Sequence, residues 1–399
     1  MRIRLWSYNY APEPTGIAPV SAAWATAMRD LGHEVAVTAA HPHYPEARWG
    51  WRFRPYRETI EGIDVTRWPL WFGRDTTAQR IRQEVTWAAS QSMALIAAPR
   101  SDLAVVVSPS FPALAPTILA MRSRRIPWVL WLQDILPDGA ATTGMIDDGV
   151  GLKAARWLET KAYAAADHIV VISDAFEENL RAKGIPAEKI TRIYNPCSSP
   201  IVERERDFSR DPPRILSIGN IGHSQGLDDV VRAFQLSDPL AALEARLVIT
   251  GVGTAEEEVR SVVTSDRVEM PGLLSDEALH AEFDRSTLAL VSQRPGVVEF
   301  NMPSKLMNYM AQGLPVLALA RPGSELERVV EESGAGWTLD NSRLDLLGTT
   351  LEKILSNRDE LRRRADASRE YARGNFTPLA VAHGFERILN ASKDPEPNS

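Results

Sequence analysis

Short apolar runs separated by single amphipathic helices leave this chain few folds. Arg2–Ser7 reads as a strand and Tyr8–Gly16 as a loop. A helix follows from about Ala18 to Leu31, stopped by Gly32-His33, and Glu34–Ala40 is the next strand. Strands joined by a helical crossover run parallel, so this is a βαβ unit. The pattern recurs, with strands expected at 103–107, 128–132, 168–172 and 190–194. A second series starts at Arg214–Ile218. It runs through the loop Gly219–Gly226, a helix over Leu227–Leu236 and the strand Arg246–Thr250, which ends at Gly251-Val252-Gly253. Further strands are expected near 268–270, 288–292 and 316–320. Ser199–Pro213 is polar, charged and bounded by Pro, the composition of a linker.

The expected architecture is therefore α/β, with two Rossmann-like, doubly wound parallel-sheet domains over 1–198 and 214–375. A linker over 199–213 joins them. A C-terminal helix over 376–393 is expected to pack back on the first domain, ahead of a tail, 394–399. The unusual loops all follow strands: Tyr8–Gly16, His41–Pro45, Ser108–Pro112, Gln133–Asp138, Gly219–Gly226, Gly251–Gly253 and Arg294–Pro303. Ligands of open α/β sheets bind outside the carboxyl ends of the strands. Two such sheets facing a central cleft would bring one reactant from each domain.

The stretch Met302–Ala318 is the most informative. Pro303 suits a first helical turn, Leu306, Met307, Tyr309 and Met310 form an apolar stripe, and Gly313 with Pro315 stops the helix before a buried strand. The free N–H groups of Ser304, Lys305 and Leu306, with the Lys305 ammonium, can hold an anion. Arg294, in the preceding loop, adds a second cation. The plainer reading is a solvated helix start with two surface charges.

Composition removes several classes. A net charge of −7 argues against non-specific nucleic-acid binding. The single cysteine, Cys197, excludes an internal disulfide and a thiolate metal cluster, which fits a reducing compartment. No metal-ligand cluster at useful spacing appears, and no cofactor is expected. No signal peptide is visible in Met1–Trp6. Leu103–Met121 is uncharged, but Pro109, Pro112 and Pro116 break it, so it is not read as a membrane span. Arg48–Arg57, Trp68–Arg74, Arg80, Arg82 and Trp87 concentrate Trp and Arg in the first domain. That combination suits an anionic membrane surface or a polyprenyl-diphosphate carrier, and equally a Trp-rich core with a basic rim.

Motifs along nearly the whole chain resemble a family. They are Tyr10-Ala11-Pro12-Glu13, Leu31-Gly32-His33-Glu34-Val35, His43-Tyr44-Pro45, Leu132-Gln133-Asp134 and Ala166-Asp167-His168-Ile169-Val170. The second half adds Asn195-Pro196, Gly219-Asn220-Ile221-Gly222, Gln225-Gly226 and Pro303-Ser304-Lys305. In this order they resemble the GT-B glycosyltransferases of the large retaining group, family 4, and most of all the colanic-acid-type exopolysaccharide enzymes. The resemblance implies transfer of a sugar from a nucleotide-diphosphate sugar, of UDP or GDP type, to a glycan or polyprenyl-diphosphate-linked acceptor. It implies retention. The lone cysteine fits a cytoplasmic location, and the Trp- and Arg-rich runs leave contact with the inner face of the plasma membrane open.

By the same resemblance the donor site includes Gly16, Gly219, Asn220, Ile221, Gly222, Gln225, Gly272, Ser304, Lys305 and Asn308. The acceptor side includes Tyr10 and Gln133, and Asp134 resembles the family's polar residue near the sugar's reactive carbon, with a cap on the next segment as the plainer reading. His41 and His43 are candidates for acceptor hydroxyl contacts, or packed loop residues. Arg294 and Lys305 are expected to replace the Arg and Lys that the wider group carries where this chain has Asn220 and Gln225. Asn308 stands where a ribose-holding Glu is usual, and as an amide it both donates and accepts. Two other readings remain open at this level: a non-hydrolysing sugar-nucleotide epimerase, and a non-catalytic sugar-nucleotide-binding scaffold.

Overall fold

The computed structural model describes residues 1–391 apart from 15, 46–47, 74–75, 109, 111, 136–149 and 297–301; the side chains of 150–152 and 391 are also left undescribed. The expected tail, parts of the Ser108–Pro112, Gln133–Asp138 and Arg294–Pro303 loops, and Arg74 lie outside the described residues.

The chain forms two compact units. The first comprises Met1–Pro196 and the segment beginning at Pro378; the second is Cys197–Thr377. In the first unit eight strands run in chain order: β1 (Arg2–Ser7), β2 (Glu34–Ala40), β3 (Tyr56–Ile60), β4 (Ile63–Trp68), β5 (Leu103–Ser108), β6 (Trp128–Leu132), β7 (His168–Val171) and β8 (Ile190–Arg192). Their order in the sheet is β3-β4-β2-β1-β5-β6-β7-β8. All neighbouring pairs are parallel except β3 with β4, a hairpin turned at Glu61-Gly62, both at positive φ. Two such residues make the tight turn whose twist matches paired strands. The sequence pattern predicts no strand in Tyr56–Trp68, which follows the first of the Trp- and Arg-rich runs.

Both faces of this sheet are covered, as alternation along parallel strands requires. Leu5, Val37, Val105 and Trp131 pack on one side with Trp24 of the Ile17–Asp30 helix. Phe385, Ile388 and Leu389, from the helix Pro378–Ala391, complete that layer. His33 and Glu386 add a 3.1 Å contact. Trp6, Val106, Trp128 and Leu130 face the other side, under the helices Thr77–Ala97, Leu114–Arg124 and Val150–Ala165.

The second unit has six strands: β9 (Arg214–Ile218), β10 (Arg246–Thr250), β11 (Val268–Gly272), β12 (Leu288–Ser292), β13 (Val316–Ala320) and β14 (Gly336–Asp340). They are parallel throughout, in the order β11-β10-β9-β12-β13-β14. The strand β14 adds to those expected. Residues 199–213 do not hang free between the units. Phe208 sits in the second core, and the buried Arg206 guanidinium donates to the carbonyls of Phe283, Ser286 and Gln312.

Candidate active site

The expected donor residues all fall in the second unit apart from Gly16, and most crowd the carboxyl ends of β9 to β12. There the backbones are zipped together. The Gly219 and Ile221 N–H groups donate to the carbonyls of Thr250 and Val252, both at 3.0 Å, and Ala255 N–H donates to Ile221 O at 2.9 Å. Gly251 N–H and Thr250 Oγ1 donate to Gly272 O at 2.9 and 2.6 Å. A Cβ on Gly251 would overlap the Gly219 carbonyl, and one on Gly253 the Ile221 carbonyl. These glycines exist so that two post-strand loops can touch. The consequence corrects a simple picture of the loop as a cradle of free amides, since the N–H groups of Gly219 and Ile221 are already spent. Ile221 is also a core side chain rather than one presented to a ligand.

Above this crest lies a network of side chains. Lys305, in the first turn of the helix Ser304–Ala311, donates to Gln225 Oε1 at 2.8 Å. The Gln225 amide nitrogen donates to the Asn220 carbonyl, and Ser292 Oγ donates to Gln225 O at 2.6 Å. The amide at 225 therefore fixes the ammonium of Lys305 over the loop. Ser304 and Asn220 are exposed beside it. Among the described residues no side chain caps the start of that helix, and the Leu306 N–H donates back to Pro303 O at 3.0 Å, so that amide is spent like those of Gly219 and Ile221. Arg294 is engaged otherwise. Its guanidinium pairs with Asp228 and lies 3.8 Å from Asp229. Burial pushes Asp228 up, but hydrogen bonds and charge from Arg232 and Arg294 outweigh it and hold the carboxyl below its ordinary value. An arriving phosphate must compete with two carboxylates for Arg294. Asn308 Oδ1 accepts from Ser198 Oγ and Ser199 N–H at 3.1 and 3.2 Å, so that oxygen secures the 198–199 segment. Tyr309, fully buried, accepts from Ile218 N–H at 2.6 Å and ties the helix to β9.

In the first unit, the carboxyl ends of β1 and β2 hold a buried polar cluster. Glu13 is its centre, accepting from Asn9 Nδ2 at 3.0 Å and from the N–H groups of His43 and Tyr44 at 3.1 and 2.9 Å. The sequence offers Glu13 only as part of a motif; its burial has no signature in the local pattern. His43 is buried, with Nδ1 2.9 Å from His41 O and its ring edge-on to Tyr8. His41 is buried too, and neither ring nitrogen has a hydrogen-bond partner. Burial pushes its pKa down to about 4. Backbone groups of Arg52 and Arg54 pull the other way but do not reach hydrogen-bonding geometry, so burial wins.

Tyr10 does not face a ligand. Its ring lies in the core, with the Arg67 guanidinium 5.8 Å away, because the loop after β1 turns it inward. Gln133 exchanges hydrogen bonds with Asn195 at 3.0 and 2.7 Å, which uses both ends of its amide. Asp134 follows β6 and is exposed, yet desolvation by its surroundings raises its pKa against the opposing Ile135 N–H. Gly16 precedes the Ile17–Asp30 helix at φ 64°, a backbone conformation that favours glycine, and no protein atom lies within 4 Å of where its Cβ would be. Trp87, which the sequence groups with the basic surface, is a core residue. Among the described residues no cluster of three or more His, Cys, Asp or Glu side chains could hold a metal ion.

Two open parallel sheets with ligand-side crests define a class. The sucrose-phosphate synthase of Thermosynechococcus elongatus superposes with a TM-score of 0.69 at 14% identity, over 98% of this chain and 99% of that one. HepE of Anabaena, in complex with UDP-glucose, gives 0.63 at 17% identity over 98% and 100%. The fold is that of the GT-B glycosyltransferases. Residues 15–196 match the glycosyl transferase 4-like domain and residues 200–371 the glycosyl transferases group 1. The chain belongs to this glycosyltransferase family. WcaI of Escherichia coli (strain K12), named as a putative colanic acid biosynthesis glycosyl transferase, is 26% identical over 83% of this chain and 86% of its own length.

Proposed function

We propose that the protein transfers a sugar from a UDP- or GDP-type nucleotide sugar to a glycan or lipid-linked acceptor, with retention, in the making of a cell-surface polysaccharide. The observation that carries this reading is Lys305, held by Gln225 at an uncapped helix start above a glycine crest. The UDP-glucose bound by HepE and the biosynthetic role in WcaI's name support it.

The bond between the sugar's anomeric carbon and the diphosphate oxygen breaks, and its electron pair leaves with the diphosphate. Lys305 and the N–H groups of Ser304 and Lys305 stabilise that growing charge, which is where fixed positive groups lower a barrier most. The acceptor hydroxyl attacks from the same face, and its proton passes to the departing oxygen. In the first unit Asp134 orients the acceptor. The reaction takes place at the inner face of the plasma membrane, where nucleotide sugars meet lipid-linked acceptors, and uses no added cofactor.

A thermal-shift panel with UDP, GDP, ADP, CMP and dTDP tests the donor half. A nucleotide at about 100 times its dissociation constant adds about 2.7 kcal/mol to the folded state. One nucleotide is expected to shift the transition, and Lys305→Ala to abolish the shift. A folded protein that responds to none overturns the reading.

A further inference from the structure

One helix of the first unit buries as many polar side chains as apolar ones (Trp87, Ala94 and Leu95) and is apolar on its outer face as well. In the Thr77–Ala97 helix the residues turned inward include Gln83, Ser90 and Gln91. Their polar groups are all satisfied there: Gln83 donates to the Tyr8 hydroxyl, Ser90 Oγ to Pro69 O at 2.6 Å, and Gln91 to Thr117 Oγ1 at 2.7 Å. Outward stand Ile81, Val85, Met93 and Ile96, the last 84% exposed. At about 100° per residue these four fall within a stripe about 120° wide. A helix with only water outside places its apolar stripe on the opposite side. The helices beside it, Leu114–Arg124 and Val150–Ala165, add exposed Leu119 and Trp157.

The charge on this layer is equally one-sided. The three helices hold seven arginines and lysines against two acids, Glu84 and Glu159, in a chain of net charge −7. Glu159 is buried against Lys183 at 2.9 Å, and Glu84 accepts from Ser110 Oγ at 2.9 Å. At the start of the Thr77–Ala97 helix, Arg82 lies 4.6 Å over the Trp71 ring, and Trp51 meets Trp71 edge-on at 5.6 Å. Phe53, beside Trp51, is 77% exposed.

We propose that this layer docks on an anionic lipid bilayer. The stripe enters the headgroup boundary and the surrounding cations meet lipid phosphates. It lies on the membrane and does not span it: no helix among the described residues is long and apolar enough to cross. Charge selects the occupant, because a second copy meeting this face with its own would set bases against bases, whereas lipid phosphates pair with them. The docking extends the reading of the acceptor as lipid-linked by naming the surface that brings the enzyme to it.

The test is co-sedimentation of the full chain with vesicles of equal parts phosphatidylglycerol and phosphatidylcholine, against phosphatidylcholine alone. Binding is expected on the anionic vesicles, with loss at high salt. Arg82→Gln and Lys161→Gln should each weaken it about fivefold, the value of about 1 kcal/mol per surface cation. Val85→Asp with Ile96→Asp should abolish it while the circular dichroism and the nucleotide shift stay as in the parent. Equal binding to both vesicle types, or a folded double variant that still binds, overturns the proposal. So does self-association in the ultracentrifuge that the double variant removes, which gives the face to a second copy. Vesicle binding without any nucleotide shift sinks the transfer reading alone; the reverse result sinks only the docking.

Discussion

The two units bury their strands in the same way and differ in what they turn outward. Among the described residues, twelve exposed large apolar side chains belong to the first unit and four to the second. The second unit's outer helix Arg358–Asn375 is laced instead with pairs such as Arg362–Asp359 and Arg364–Glu360, the surface of a helix that faces water. The crests differ in parallel. In the second unit backbone meets backbone through glycines, and a cation stands above; in the first a carboxylate and two imidazoles are buried. The same βα scaffold thus carries two different crests, one closed by backbone contact and one by a buried polar cluster.

The largest effect should come from breaking the backbone zipper. Gly251→Ala and Gly253→Ala each drive a methyl into a carbonyl that cannot move without opening the crest. Each should cost about 3 kcal/mol, the upper range for overpacking, read by urea unfolding of the second unit. Gly16→Ala is the matched control in the first unit, strained only by its positive φ, and should cost about 1 kcal/mol. Similar losses for all three would mean that close approach adds nothing beyond conformation.

The buried imidazole gives the first unit a pH dependence of its own. His41 has a folded pKa of about 4 against about 6.5 when unfolded. Between those values the unfolded chain binds the extra proton, so stability is complete above pH 6.5 and falls as pH drops toward 4. The loss approaches about 3 kcal/mol, because each tenfold difference in proton affinity between the two states is worth about 1.36 kcal/mol. Replacing His41 by Gln should flatten the first-unit melting curve over this window. An unchanged slope would show that His41 is hydrated or paired in solution.

How much of this was legible follows from which interactions are local. The βα order, the glycine stops and the apolar stripe of Leu306, Met307, Tyr309 and Met310 are properties of neighbouring residues, and they could be read. The β3–β4 hairpin escaped because its turn is Glu61-Gly62, set among Trp and Arg residues that suggested a surface. The face of the Thr77–Ala97 helix escaped for a different reason. Its buried side is half polar, with Gln83, Ser90 and Gln91 satisfied by Tyr8, Pro69 and Thr117, which lie outside the helix in sequence. Tyr10 and Ile221 stand in motifs that the resemblance places at a ligand, yet their side chains lie in the core, which a motif does not reveal. The pairing of Arg294 with Asp228 joins residues 66 apart, and no local pattern announces it.

That pairing orders the last two effects. Lys305→Ala should lower kcat/KM about a hundredfold, the low end for removing one donor to a developing anion, and leave vesicle binding unchanged. Arg294→Gln should do much less, because Asp228 and Asp229 already neutralise the guanidinium. Its stability effect should be under about 1 kcal/mol, as for a partly exposed pair, and its donor KM should rise only about threefold, the smallest change in the series. Asp228→Asn then becomes informative: it releases Arg294 toward the crest and should tighten nucleotide binding. If Arg294→Gln instead costs as much as Lys305→Ala, the guanidinium must leave Asp228 when the donor arrives. The second unit would then rearrange on binding, and the rigidity that separates it from the first would stop at the backbone zipper.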